Sequence, residues 1–110
     1  MFANGSRYTG QWLDNDIHGK GKFDYATGAF YRGQYEHNIK WGKGIFTWPN
    51  GNEYRGDFKN GYMCGTGEMK YGEGHRYVGS WDSNKKNGYG VFTYFKGHVY
   101  AGDWIGMSQP

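Results

Sequence analysis

The sequence predicts an all-β chain, an elongated antiparallel meander of β-hairpins forming an open single-layer sheet, and three observations carry that expectation. The first is an internal period of 23 residues: Tyr8, Tyr31, Tyr54, Tyr77 and Tyr100 recur without a slip. Each is followed two residues later by Gly10, Gly33, Gly56, Gly79 or Gly102, and two further on by Trp12, Tyr35, Phe58, Trp81 or Trp104. The second is the spacing of two inside each unit, which puts these residues on one face of an extended strand and would scatter them around a helix. The third is composition: only 36% of residues are hydrophobic while 21% are aromatic, and there are 21 glycines among 110 residues. Aliphatic packing cannot build this core, so rings must.

Each unit opens with a strand such as Tyr8-Thr9-Gly10-Gln11-Trp12, whose alternate positions are polar. A connection of six polar or mixed residues follows, namely Leu13 to His18, Glu36 to Trp41, Lys59 to Cys64 and Asp82 to Asn87. A second strand begins with paired glycines (Gly19 and Gly21 in the first unit) and continues through Phe23, Phe46, Met69 or Phe92 to Tyr25, Trp48, Tyr71 or Tyr94. The turn that ends it, Ala26-Thr27-Gly28-Ala29 or Pro49-Asn50-Gly51-Asn52, supplies a glycine able to take positive φ. About nine strands at about 4.8 Å each predict a body near 40 Å long. Glycine within a strand costs about 0.5–1 kcal/mol against alanine. A slot in which a ring from the neighbouring strand lies flat over bare backbone offsets that cost, since burying each ring contributes about 2 kcal/mol.

The repeating array is expected to span residues 1–106, with four full repeats starting at 8, 31, 54 and 77, the tail of a preceding unit (Phe2, Gly5), the opening of a fifth, and a short tail at 107–110. Starting and ending within a repeat implies a fragment of a longer array or a short protein whose ends are capped by others. The chain has no run of 18 apolar residues and no basic segment followed by an apolar one at its N-terminus, so the expectation is a cytoplasmic protein. Cys64 is the sole cysteine, which excludes an intrachain disulfide. Thirteen basic against ten acidic residues give a net charge of +3, too balanced to imply a nucleic-acid partner.

With Tyr-x-Gly-x-Trp, a six-residue gap, Gly-x-Gly-x-Phe and a closing glycine, the chain resembles the MORN (membrane occupation and recognition nexus) repeat proteins over Phe2 to Trp104. The family usually has His just before the paired glycines; here only His18 keeps it, with Trp41, Cys64 and Asn87 in the equivalent places of the connection. The resemblance implies a scaffold or docking surface, with a ciliary axoneme, radial spoke or other cytoskeletal setting as the specific expectation. Catalysis in such proteins sits in other domains.

The residues themselves point to no reaction and no cofactor. The recurrent Gly-x-x-x-x-Gly frame lacks the Lys and Ser/Thr of a phosphate-binding loop, since Gln11, Gln34, Asp57, Ser80 and Asp103 follow its second glycine. His75 and His98 occupy equivalent turns about 10 Å apart, too far to share a metal as a pair and expected to be exposed. Cys64 has no His beside it to act as base. The expectation is a non-enzyme with no metal site.

Two functions remain. The first is docking of a protein segment or a second copy. The expected site is a groove lined by Tyr31, Tyr35, Phe46, Trp48, Tyr54 and Phe58, because one layer of sheet leaves its aromatic face to be covered. The second is binding to anionic phospholipid headgroups. On the polar face, however, Arg7, Lys20, Lys22, Arg32, Lys43, Arg55, Lys59, Lys70 and Arg76 are interleaved with Asp24, Glu36, Glu53, Asp57, Glu68, Asp82 and Asp103. Lys85-Lys86 is the one basic doublet, whereas lipid recognition normally shows clusters of four to eight.

Overall fold

A computed structural model describes residues 4–107. Nine strands follow one another in sequence order and pair in that order, every neighbour antiparallel. They are β1 (Arg7–Leu13), β2 (Asp16–Asp24), β3 (Phe30–Glu36), β4 (Ile39–Thr47), β5 (Glu53–Lys59), β6 (Tyr62–Lys70), β7 (Arg76–Asp82), β8 (Lys85–Thr93) and β9 (Val99–Met107). The body measures 46 × 23 × 17 Å, a single layer extended along the strand-pairing direction as the repeat predicts. Strand β9 reaches Met107, the first residue of the short tail read from the sequence; Phe2 and residues 108–110 lie outside the described residues.

The six-residue connection is not a loop. Strands resume after two residues, Asp14-Asn15, His37-Asn38, Asn60-Gly61 and Ser83-Asn84, each pair with both φ values between +45° and +84°. These are type I′ hairpin turns, and Asn60-Gly61 is the pair that most favours one. His18, Trp41, Cys64 and Asn87 therefore stand on strands, not in loops. At the other edge, Tyr25, Trp48, Tyr71 and Tyr94 each close a longer turn by accepting the N–H of the glycine three residues on, at 2.8–3.0 Å.

The paired glycines have two different jobs. The register runs Gly56↔Gly67 and then Phe58↔Met63, so β6 carries a bulge opposite Asp57, with Gly65 inside it at φ +63°. The side chain opposite fills that bulge: Asp57 Oδ2 accepts the Thr66 N–H at 3.2 Å, as Gln11 Oε1 accepts that of Lys20 at 2.8 Å and Gln34 Oε1 that of Lys43 at 3.0 Å. Gly67 instead lies under a ring. A Cβ there would sit 2.3 Å from the Tyr54 Oη, and one on Gly56 would sit 2.5 Å from Gly67 Cα. The ring over Gly67 comes from the neighbouring strand β5, as the sequence predicts, and the same ring also lies along Gly56, two residues on in its own strand. Extended along its own strand, each tyrosine reaches a backbone acceptor: Tyr8, Tyr31, Tyr54 and Tyr77 donate to the carbonyls of Gln11, Gln34, Asp57 and Ser80 at 2.8–2.9 Å.

Candidate functional site

The aromatic face is a zigzag of edge-to-face rings running the length of the sheet. Tyr8–Tyr35, Tyr35–Tyr31, Tyr31–Phe58, Phe58–Tyr54, Tyr54–Trp81, Trp81–Tyr77 and Tyr77–Trp104 stand 5.1–5.8 Å apart between centroids, at interplanar angles of 77–90°. T-shaped pairs of this kind add to the area they bury. Tyr31, Tyr54 and Tyr77 are sealed at 0% exposure. Burial pushes the phenols of Tyr31, Tyr35, Tyr54 and Tyr71 well up from their usual value.

Of the six residues read as a groove, the structure thus brings all into one patch but gives them different places. Tyr31, Tyr35, Tyr54 and Phe58 are buried in the zigzag, while Phe46 and Trp48 are half-buried, in contact at 4.7 Å, and stand beside it. Phe46, Trp48 and Phe58 line a cavity of about 410 Å³ together with Lys40, Gly61, Met63 and Asn84. A second cavity, of about 360 Å³, is lined by residues from Ile17 and Phe23 to Tyr35, Lys40 and Gly61. Lys40 and Gly61 form the wall between the two.

Sequence reading missed Lys40, Gly61, Met63 and Asn84 because they fall in the supposed six-residue loop. Once that loop is a two-residue turn, the position two before the first paired glycine points to the aromatic side: Ile17, Lys40, Met63 and Lys86. Lys86 is therefore not half of a surface basic doublet. It is 1% exposed, its Nζ donates to the Tyr71 hydroxyl at 3.2 Å, and it lies 5.7–5.9 Å from the ring centroids of Tyr71, Tyr77, Trp81, Phe92 and Trp104. Burial pushes its amine down to about 8. Lys40 is half-buried near Tyr31 and Phe46, at 5.8 and 5.7 Å, and burial lowers its amine too.

The turns stack along the same edge. Asn38 donates its N–H to the Ile17 carbonyl at 2.8 Å and its Oδ1 accepts the Ile17 N–H at 2.8 Å; Asn84 does the same with Met63 at 3.0 and 2.8 Å. At Lys40 the partner is Gly61, which donates its N–H to the Lys40 carbonyl at 3.0 Å and has no side chain to return.

On the opposite face charges pair, within a strand between Lys22 and Asp24 at 3.5 Å and between Arg55 and Glu53 at 2.7 Å, and across neighbouring strands between Lys43 and Asp57 and between Arg76 and Glu68. The histidines that meet are His18 and His37, with ring centroids 4.8 Å apart, rather than His75 and His98. His18 Nδ1 accepts the His37 N–H at 3.2 Å, and His37 Nδ1 lies 3.0 Å from Asp16, so both rings are engaged in holding the turn. His75 is not an exposed turn histidine. It is half-buried among Phe92, Tyr94 and Phe95, and its Nδ1 accepts the Phe95 N–H at 3.1 Å. No cluster of three metal-ligating side chains occurs among the described residues. Nor is any helix there long and apolar enough to cross a membrane.

No curated protein matches the chain. The family model of the MORN repeat matches four times in succession, over residues 8–30, 31–53, 54–76 and 77–99, each match opening on one of the tyrosines that cover the paired glycines. The MORN repeat is a non-catalytic interaction module, serving protein or membrane-lipid contacts. Four contiguous matches over most of the chain establish that this protein belongs to the MORN repeat family.

Proposed function

We propose that the protein is a non-catalytic docking module that captures a protein segment on its aromatic face, as part of a larger cytoskeletal or axonemal assembly. The observation that carries this reading is the cavity beside Phe46, Trp48 and Phe58, a ring-lined recess with Lys40 and Asn84 at its wall, on a face whose other rings close over one another. Aromatic anchors in such recesses contribute most to binding energy, whereas charges at the rim mainly tune association rate. The paired charges of the opposite face leave little net field for an anionic membrane, and Lys86 is sealed away from it.

The test compares Trp48→Ala and Phe46→Ala with the double change Lys20→Ala, Lys22→Ala. The two assays are binding to the partner purified with the protein from native cells and flotation on phosphatidylserine vesicles. Docking requires the ring variants to lose partner binding at least tenfold while the lysine variant keeps it. Flotation that depends on the lysines and collapses as salt rises would replace docking with lipid binding.

A further inference from the structure

The repeats place the same residue positions in front of one another every 23 residues, so unlike occupants of one position are a direct comparison. Around Lys86 the ring positions are held by Tyr71, Tyr77, Trp81, Phe92 and Trp104, all within 6 Å of its ammonium. Two repeats earlier the same positions hold Tyr25, Tyr31, Tyr35, Phe46 and Phe58, and only Tyr31 and Phe46 approach the Lys40 ammonium that closely. Tyr35 and Phe58 replace tryptophans whose indole N–H groups donate to the Gly67 and Gly90 carbonyls at 3.2 and 3.3 Å. Gly61 replaces the asparagine that closes the turn over Ile17 and Met63. Three smaller residues thus surround one lysine, and the space they leave is the two cavities that Lys40 separates. No described residue accepts a hydrogen bond from Lys40 Nζ, while Lys86 Nζ reaches a hydroxyl.

We propose that Lys40 is the receiving point for a carboxylate carried by the docked segment, with one apolar side chain of that segment seated in the cavity on each side. This rests on the docking reading above and names its partner: an amphipathic helix bearing an acidic residue between two apolar ones. A cation at a half-buried, ring-walled position is costly unless an anion or acceptor completes it, and the lowered amine of Lys40 reflects that cost. The spacing then selects the backbone. The cavities occupy equivalent places in successive repeats, two strand spacings or about 10 Å apart. Helix positions i and i+7 are separated by about 10.5 Å along the axis and share a face with i+3 and i+4. A strand cannot match this, because residues about 10 Å apart in it point to opposite sides.

The experiment uses the full chain and synthetic 18-residue helical peptides on an Ala/Gln background. One carries Leu at i and i+7 with Glu at i+3 and i+4; its twin carries Gln in place of both Glu. Affinity is measured by fluorescence anisotropy, and the contact site is mapped by shifts of the Trp48 indole signal. The Glu peptide should bind at least tenfold tighter than the Gln peptide, and Lys40→Met should abolish that difference while the Gln peptide's affinity is kept. Lys20→Met, on the other face, should leave the difference in place. Equal affinity of the two peptides with the Trp48 signal shifted would overturn the carboxylate role and leave docking standing. Binding by neither peptide, or binding that leaves Trp48 unshifted, would overturn the carboxylate role and the helix together. Lys40-dependent flotation of phosphatidylserine vesicles in place of peptide binding would overturn the proposal in favour of a membrane.

Discussion

The second and fourth repeats share one backbone and one aromatic frame yet treat the same lysine in opposite ways. In the fourth, Trp81 and Trp104 close over Lys86 and the Tyr71 hydroxyl accepts from it, so the position is filled from within the chain. In the second, Tyr35, Phe58 and Gly61 are each smaller than their counterparts, and Lys40 stands between two cavities. The difference teaches that in this array the rings and glycines repeated in every unit build the sheet, whereas the positions that vary between units decide where the sheet stays open.

The comparison breaks first if the frame is not common to both repeats. Gly67→Val forces a side chain into the Tyr54 ring, and Gly44→Val does the same beneath Tyr31, each Cβ falling 2.3 Å from the phenolic oxygen. Each should cost about 3 kcal/mol or more in a urea melt, the range of severe overpacking. Arg55→Ala, on the polar face beside Gly56, which pairs with both Gly44 and Gly67, should move the midpoint far less. A mild effect at one glycine and a severe one at the other would show that the frame differs between repeats.

A buried ammonium held by rings is replaceable by a side chain of similar shape, so Lys86→Met should raise stability at pH 7 by about 2 kcal/mol, and Lys40→Met by less than half of that. Destabilisation by Lys86→Met would mean that the five rings stabilise the cation by more than its burial costs.

The pH dependence sharpens the same contrast. Lys86 has its amine lowered to about 8 from an ordinary value of 10.5, so above pH 8 the unfolded chain binds more protons than the folded one and stability rises with pH. The buried tyrosines are shifted up from 10.0, so above pH 10 the unfolded chain loses protons that the folded one keeps and stability falls. Thermal midpoints should therefore climb between pH 8 and 10 and drop beyond it, and the climb should be much reduced in Lys86→Met.

The smallest effect comes from the turn. Gly61 has φ +84°, which asparagine tolerates, and a Cβ there meets only Ile39 Cγ2 at 4.0 Å. Gly61→Asn should supply the Lys40 N–H with the acceptor that Ile17 and Met63 already have, raising stability by about 0.5 kcal/mol. It should also narrow both cavities and weaken peptide binding.

The architecture was legible because a spacing of two repeated at 23 residues admits one geometry, and Tyr8 to Trp104 appear on the face that spacing gave them. What was not legible came from one misread stretch. Asp14-Asn15, His37-Asn38 and Ser83-Asn84 turn the chain in two residues, which their polar character does not distinguish from a loop, and Asn60-Gly61 was the signal for all four. Missing the turn hid the inward direction of Ile17, Lys40, Met63 and Lys86, so the two lysines were counted as surface charge or passed over. The bulge hid in the same way, since only the register shows that Gly65 and Gly67 serve different ends. Phe46, Trp48 and Phe58 were found because ring positions are periodic; Gly61 was not, because it breaks the pattern of the turns, and breaking it is what opens the site.

The most direct test of this contrast is the titration of the lysine side chains by NMR, following the ¹³Cε signals from pH 6 to 12. Lys86 is expected to titrate near 8 and Lys40 below its ordinary value of 10.5. Adding the acidic helical peptide should then raise Lys40 and leave Lys86 where it is. If Lys40 titrates at its ordinary value, or if the peptide moves Lys86 and not Lys40, the second repeat is not the open one and the contrast fails.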